Sequence, residues 1–137
     1  MTAVVPPYIQ HVLEHRAGPL AYAPTRAPFG YRYMSYTWDA RAKRLTVRLH
    51  DKHYVAANPN RTVAVTAAWF SGPAARCADG NEKSYQVDGN LVFSSGGDVA
   101  WRCVRASNGR LVKIVAAGKN MPASTLAIVA SSVKRLG

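Results

Sequence analysis

Apolar residues recur along this chain with two different periods. In PYIQHVLEHRAG, which follows Pro6, Ile9, Val12, Leu13 and Arg16 fall on one face at helical spacing. Proline suits the first turn of such a helix, Gly18 suits the position just past its end, and Pro19 prevents continuation. Residues 19–30 are rich in proline and glycine and read as extended, with room for one edge strand. The period then becomes two. Tyr31 to Trp38 and Arg44 to His50 read as strands around the turn Asp39 to Lys43. In the second, Leu45, Val47 and Leu49 alternate with Arg44, Thr46, Arg48 and His50, the pattern of a strand with one wet face. Asn58-Pro59-Asn60 is a turn signal. Arg61 to Phe70 is a further strand, with Val63, Val65, Ala67 and Trp69 on one side. Ser84 to Asp88 and Leu91 to Ser94 flank Asp88-Gly89, a favoured hairpin turn. Pro122 to Leu136 returns to helical spacing, with Leu126, Val129, Ala130 and Val133 as its stripe. Asn120 would cap its start, and Lys134 and Arg135 would complement the dipole at its end.

The segment WRCVRASNGRLVKIV, Trp101 to Val115, carries four cations around Asn108-Gly109. With those two residues at the centre of a type I′ turn, Arg105 faces Val112, Cys103 faces Ile114 and Trp101 faces Ala116. Directly opposed side chains share a face. This register sends Trp101 and Cys103 to the core with the aliphatics and leaves Arg102 and Lys113 exposed on the far side.

The order is a helix, a run of strands at hairpin spacing, and a second helix. It predicts one α+β domain over residues 1–137: an antiparallel sheet of about five to seven strands, with an N-terminal and a C-terminal helix packed on one face. No βαβ alternation, internal repeat or linker divides the chain.

Composition changes the picture through charge. Apolar residues make up 48%, which suits a folded protein, and 18 Lys+Arg against 7 Asp+Glu give a net charge of +11. Such a surface attracts anions: wall polymers, lipid headgroups, acidic proteins or nucleic acid. Plain solubility is the alternative, because the cations form no long run. One strand pair sharpens the choice. If Met34, Tyr36 and Trp38 turn inward, Tyr31 and Tyr33 lie beside Arg44, Arg48 and His50 on the wet face. An arginine-tyrosine face of this kind binds phosphates and stacks on bases or sugars. Arg44, Arg48, Tyr31 and Tyr33 are therefore the candidate contact residues, with Arg102 and Lys113 as an extension; an ordinary solvated face is the alternative.

Two cysteines, Cys77 and Cys103, stand outside any CxxC motif. Joined, they would close a loop of about 26 residues, worth roughly 3 kcal/mol in the chain-entropy model. A disulfide implies an oxidising compartment, hence an extracytoplasmic or secreted protein. Two buried thiols in the cytosol are the alternative. Met1 to Pro7 has no signal-peptide character, so export would require a leader removed upstream. No stretch reaches the roughly 20 apolar residues of a membrane span.

Catalytic signatures are sparse. His11 and His15 with Glu14 lack a third metal ligand. His50-Asp51-Lys52-His53 reads as a polar loop, with a small hydrolase using His50 or His53 as a minor possibility. GxSxG, P-loop and GxGxxG patterns are missing, so no cofactor or metal is expected. Asn60-Arg61-Thr62 fits a glycosylation sequon, a frequent chance match. Zinc-finger spacing, an RNA-recognition pattern and a basic recognition helix are missing too.

The run DVAWRCVRASNGRLVKIVAAGKNMPASTLAIVASSVKRL resembles the closing segment of uncharacterised bacterial extracytoplasmic domains found in lipoproteins and anti-sigma-factor-like membrane proteins. APTRAPFGYRYMSY is similar to their strand entry. The resemblance is structural and implies a non-enzymatic exported α+β module. The leading expectation is thus a non-catalytic binding or sensing module of the cell envelope with a basic surface. A cytosolic nucleic-acid-binding protein is the runner-up.

Overall fold

The computed structural model describes residues 4–53, 55, 61–80 and 82–137. The Asn58-Pro59-Asn60 turn and Asn60 of the sequon lie outside the described residues. Helix α1 spans Pro7–Ala17, with Ile9, Leu13 and Ala17 buried and Gly18 as its cap at φ 54°. A two-residue strand β1 (Tyr22–Ala23) follows. The main strands are β2 (Tyr31–Asp39), β3 (Arg44–Asp51), β4 (Thr62–Phe70), β5 (Lys83–Val87), β6 (Asn90–Ser94), β7 (Val99–Arg105) and β8 (Leu111–Ala117). Helix α2 (Ala123–Ser132) and a two-residue strand β9 (Lys134–Arg135) close the chain.

The seven main strands form one antiparallel sheet in the order β2-β3-β4-β8-β7-β6-β5, and β1 pairs with β9 apart from it. This is the expected α+β architecture. One face of the sheet is covered. Leu45, Val47, Leu49, Val63, Val112, Ile114 and Ala116 are fully buried there beneath Leu13 of α1 and Leu126 and Val129 of α2. Burying one such side chain contributes about 1.5–3 kcal/mol. The other face is open over most of its area.

Three local features depart from the sequence reading. First, the turn after β7 is longer than a two-residue type I′ turn. Gly109 N–H donates to Ala106 O and Ala106 N–H to Arg110 O. Gly109 has φ 82°, whereas Asn108 does not enter the left-handed region. This is a type I turn followed by a left-handed glycine, with one extra residue in the loop. The register becomes Arg102↔Ile114, Cys103↔Lys113 and Trp101↔Val115. A one-residue shift sends each side chain of β7 to the opposite face. Trp101 and Cys103 therefore lie on the open face, and Arg102 lies on the covered one. By contrast, Asp88 and Gly89 (φ 49° and 81°) form the expected two-residue hairpin, with Val87 opposite Asn90.

Second, β2 is irregular at Met34. Ser35 opposes Arg48, but Tyr33 opposes Leu49 and Tyr31 opposes Asp51. The extra residue returns Tyr31 and Tyr33 to the covered side, where they pack against the core with Tyr36 and Trp38.

Third, α2 stops at Ser132 and does not reach Leu136. Ser132 Oγ donates back to Val129 O, and Ser132 O accepts from Thr25 N–H and Thr25 Oγ1. Val133 then turns extended and leads into β9. The helix starts after Pro122 without a side-chain cap, and Asn120 instead occupies a left-handed turn at φ 56°.

Candidate functional site

The pairings place three rows of side chains across the open face. One runs Arg44, Ala68, Lys113, Cys103; the next Thr46, Thr66, Val115, Trp101, Phe93; the third Arg48, Ala64, Ala117, Val99. The middle of the face is built from alanine, threonine and valine, so it is low. Arg44 and Arg48 stand at its β3 margin, and Lys113 rises from the central strand β8 in the first row. In the other two rows short side chains on β4 and β8 lie between Arg48 on β3 and a covered tryptophan on β7, which makes a trough.

One part of it is an open depression of about 510 Å³ lined by Ala64, Ala117 and Gly118, with Met34, Arg48, Asp98 and Lys119 around it. Gly118 sits here because the space beneath it is taken: an added Cβ would stand 3.0 Å from Val63 Cγ2. Gly118 N–H donates to Asp98 O, which holds the rim. A second depression of about 220 Å³ adjoins it, lined by Asp79, Ser95, Val99, Trp101, Lys113 and Val115. Val99 and Ala117 are directly paired, so the two depressions meet. Arg48 is oriented by donating from Nη1 to Thr37 Oγ1 at 2.7 Å.

Trp101 is 5% exposed although it points to the open face. The loop between β4 and β5 covers it. Its indole N–H donates to Cys77 O at 2.7 Å, and Cys77 is joined to Cys103 with Cα atoms 6.1 Å apart. The expected disulfide is therefore present, and it fastens the loop over β7. Lys113 Nζ lies 5.4 Å from the Trp101 ring centroid, a cation–π distance.

Of the residues expected to form a contact surface, Arg44, Arg48 and Lys113 share this open face. Tyr31 and Tyr33 do not, because the irregularity at Met34 turns them away. Burial pushes both phenols above their ordinary value, with Asp51 adding to the effect at Tyr31 and Tyr36 and Tyr8 adding at Tyr33. Arg102 is not part of the face either. Its Nε donates to Ala130 O at 3.1 Å and its Nη2 to Val133 O at 3.0 Å, so it closes the end of α2. Burial lowers its pKa from the ordinary arginine value. The cation that the helix terminus favours thus comes from β7 and not from Lys134 or Arg135, which are exposed in β9.

His50 lies at the end of β3, between Arg32 and Thr62. His53 is exposed in the following turn, where its N–H donates to Asp51 Oδ1 at 2.8 Å. His11 and His15 line a shallow surface hollow on α1. Among the described residues no group of three His, Cys, Asp or Glu side chains is placed to hold a metal.

The sequence reading missed Asp98, Lys119 and the small-residue floor. A signal for the floor exists: Ala64, Thr66 and Ala68 occupy the solvent side of β4, where long polar side chains usually stand.

No protein-family model matches the chain, and no curated protein matches it. Among solved structures, the crystal structure of MucB in complex with MucA(peri) aligns over 85% of this chain and 36% of that one, at 12% identity and a TM-score of 0.48. The chain spans about a third of the length of that neighbour.

Proposed function

We propose that this chain is a non-catalytic, extracytoplasmic binding module that takes an anionic partner along the open face of its sheet. The trough carries the reading. Arg44, Arg48, Lys113 and Lys119 stand around a floor of small side chains, with Asp98 and Asp79 at the edge as the acidic counterweights. A low floor lets an extended partner approach the sheet, and the marginal cations attract it by charge. The Cys77–Cys103 disulfide supports export, since such bonds persist in oxidising compartments. An anionic component of the cell envelope is the partner class, whether wall polymer, lipid headgroup or acidic protein.

The test compares retention of the oxidised protein on anionic vesicles, anionic wall polymer, an acidic peptide and duplex DNA over a salt series. Binding to one envelope component should exceed binding to DNA, and Arg44→Glu with Arg48→Glu should weaken it about tenfold, or roughly 1.4 kcal/mol. Unchanged binding in that double variant removes the open face from consideration. Equal retention on every polyanion with one salt slope reduces the surface to non-specific charge. Free thiols in protein recovered from its native compartment would end the export argument.

A further inference from the structure

A second basic surface lies on the opposite side of the molecule, at the end of the covered face. There the last turn of α1 faces two tryptophans that are only partly buried. Trp38 on β2 opposes Leu45, and Trp69 on β4 opposes Val112, so both stand on the covered side. Between them the chain turns into β3 at Lys43, which is held at φ 54°. The last turn of α1 and the Gly18-Pro19-Leu20 segment form the facing wall. Together they enclose a groove of about 360 Å³. Arg110, from the turn after β7, lies over the Trp69 ring with its guanidinium carbon 4.2 Å from the centroid.

The chemistry of the groove is one-sided. Its walls include His15, Arg16 and Lys43 and no carboxylate. The two ion pairs among the described residues, Arg26–Asp88 and Arg61–Asp51, do not use Arg16 or Lys43. Glu14 precedes His15 in sequence, but its carboxylate lies beside Gly137 and does not line the groove. Asp39, in the turn that holds Lys43, has its Oδ1 engaged by the N–H groups of Arg41 and Ala42. Two indoles, that of Trp69 already carrying the Arg110 guanidinium on one face, with Arg16 and Lys43 beside them, suit a ligand that has an apolar face and a negative group. The volume lies at the small end of ligand pockets, enough for a single compact molecule.

We propose that this groove binds an acidic saccharide. A sugar ring lies against an indole through its C–H face, and its carboxylate or phosphate is held by Lys43, Arg16 and Arg110. A guanidinium already stacked on an indole keeps its N–H edge free for an oxyanion. A uronic acid and a phosphorylated sugar offer the same chemistry, and the two are separated by experiment.

The indole N–H signals of the three tryptophans provide the readout in the oxidised full chain. Oligoglucuronic acid and glucose 6-phosphate are titrated separately, with neutral maltotriose as the control. At least one acidic sugar should shift the Trp38 and Trp69 signals saturably while the covered Trp101 stays still. Lys43→Glu with Arg16→Glu should weaken that binding about tenfold, and Arg48→Glu on the open face should leave it within about twofold. Trp69→Ala should abolish it, and Trp69→Phe should retain part of it. The proposal fails if neither acidic sugar moves these signals at millimolar concentration. It fails equally if maltotriose binds as well, or if Lys43→Glu with Arg16→Glu changes nothing.

Discussion

Arg102 shows how far one side chain's role depends on its neighbours. By composition it is one of 18 cations on a basic protein. By position it is a helix cap supplied from a neighbouring strand. Ala130 O already accepts the Val133 N–H, so Arg102 adds a second donor there and supplies one to Val133 O, and a charge-assisted bond of this kind is worth about 1.5–3 kcal/mol. Arg102→Ala should therefore lower stability by about 2–3 kcal/mol, read as a fall in the urea midpoint with the slope unchanged. Arg102→Lys should recover little, because an ammonium cannot span both carbonyls as a planar fork does. Retention on anionic surfaces, by contrast, should change far less in Arg102→Ala than in Arg48→Glu. A variant that loses binding but keeps its midpoint would place Arg102 back on the surface.

The elements were legible where one signal decided them, and illegible where a single residue's count decided a face. The strand β3 needed only its alternation of Leu45, Val47 and Leu49. The Asp88-Gly89 hairpin needed only two residues able to adopt positive φ. Asn108-Gly109 offers the same pair, yet the chain uses a longer turn there, and the register of β7 moves by one. Nothing local in ASNGR separates the two turns; packing does. The long register buries Ala100 in the row of Val47 and Ala116 and gives Arg102 its carbonyls. The shorter one would press Trp101 and Cys103 against α2. Met34 in β2 is the same lesson, since one extra residue moved Tyr31 and Tyr33 away from the arginines. The disulfide and the open face survive these shifts, because loop length and the small residues of β4 do not depend on them. The turn itself is testable. Gly109→Val should cost about 1–2 kcal/mol, as a branched side chain opposes φ 82°, and Gly109→Asn should cost less. Equal midpoints for the two variants would argue against the left-handed residue.

At the scale of the whole molecule, a large positive charge is held together by few compensating acids. Two devices bear on its tolerance. The Cys77–Cys103 bond closes a loop of 26 residues and keeps Trp101 covered. Replacing both cysteines by serine should cost roughly 3 kcal/mol, with a red shift in tryptophan emission as the loop lifts from β7. An unchanged melting temperature would contradict this. The second device is Asp51, one of 7 acids in the chain. Its Oδ1 accepts the His53 N–H and its Oδ2 accepts from Arg61 Nη1, each at 2.8 Å. The backbone bond from His53 is the main cause holding its carboxyl below the usual carboxylate value; burial, the next largest effect, opposes it, and the Arg61 guanidinium adds to the lowering. A depressed folded-state pKa contributes stability that is complete above the unfolded value near 3.8 and disappears as pH falls through the folded one. Asp51→Asn should thus be less stable than the wild type by a constant amount above about pH 4, and the gap should close below it. Both proteins weaken in acid as carboxylates elsewhere are neutralised and the cations repel one another more strongly. Taking the difference between their urea midpoints from pH 6 down to about pH 2 removes that shared loss and isolates Asp51. A difference that stays level across the whole range would mean that the carboxylate's charge does not contribute to holding the β3 turn.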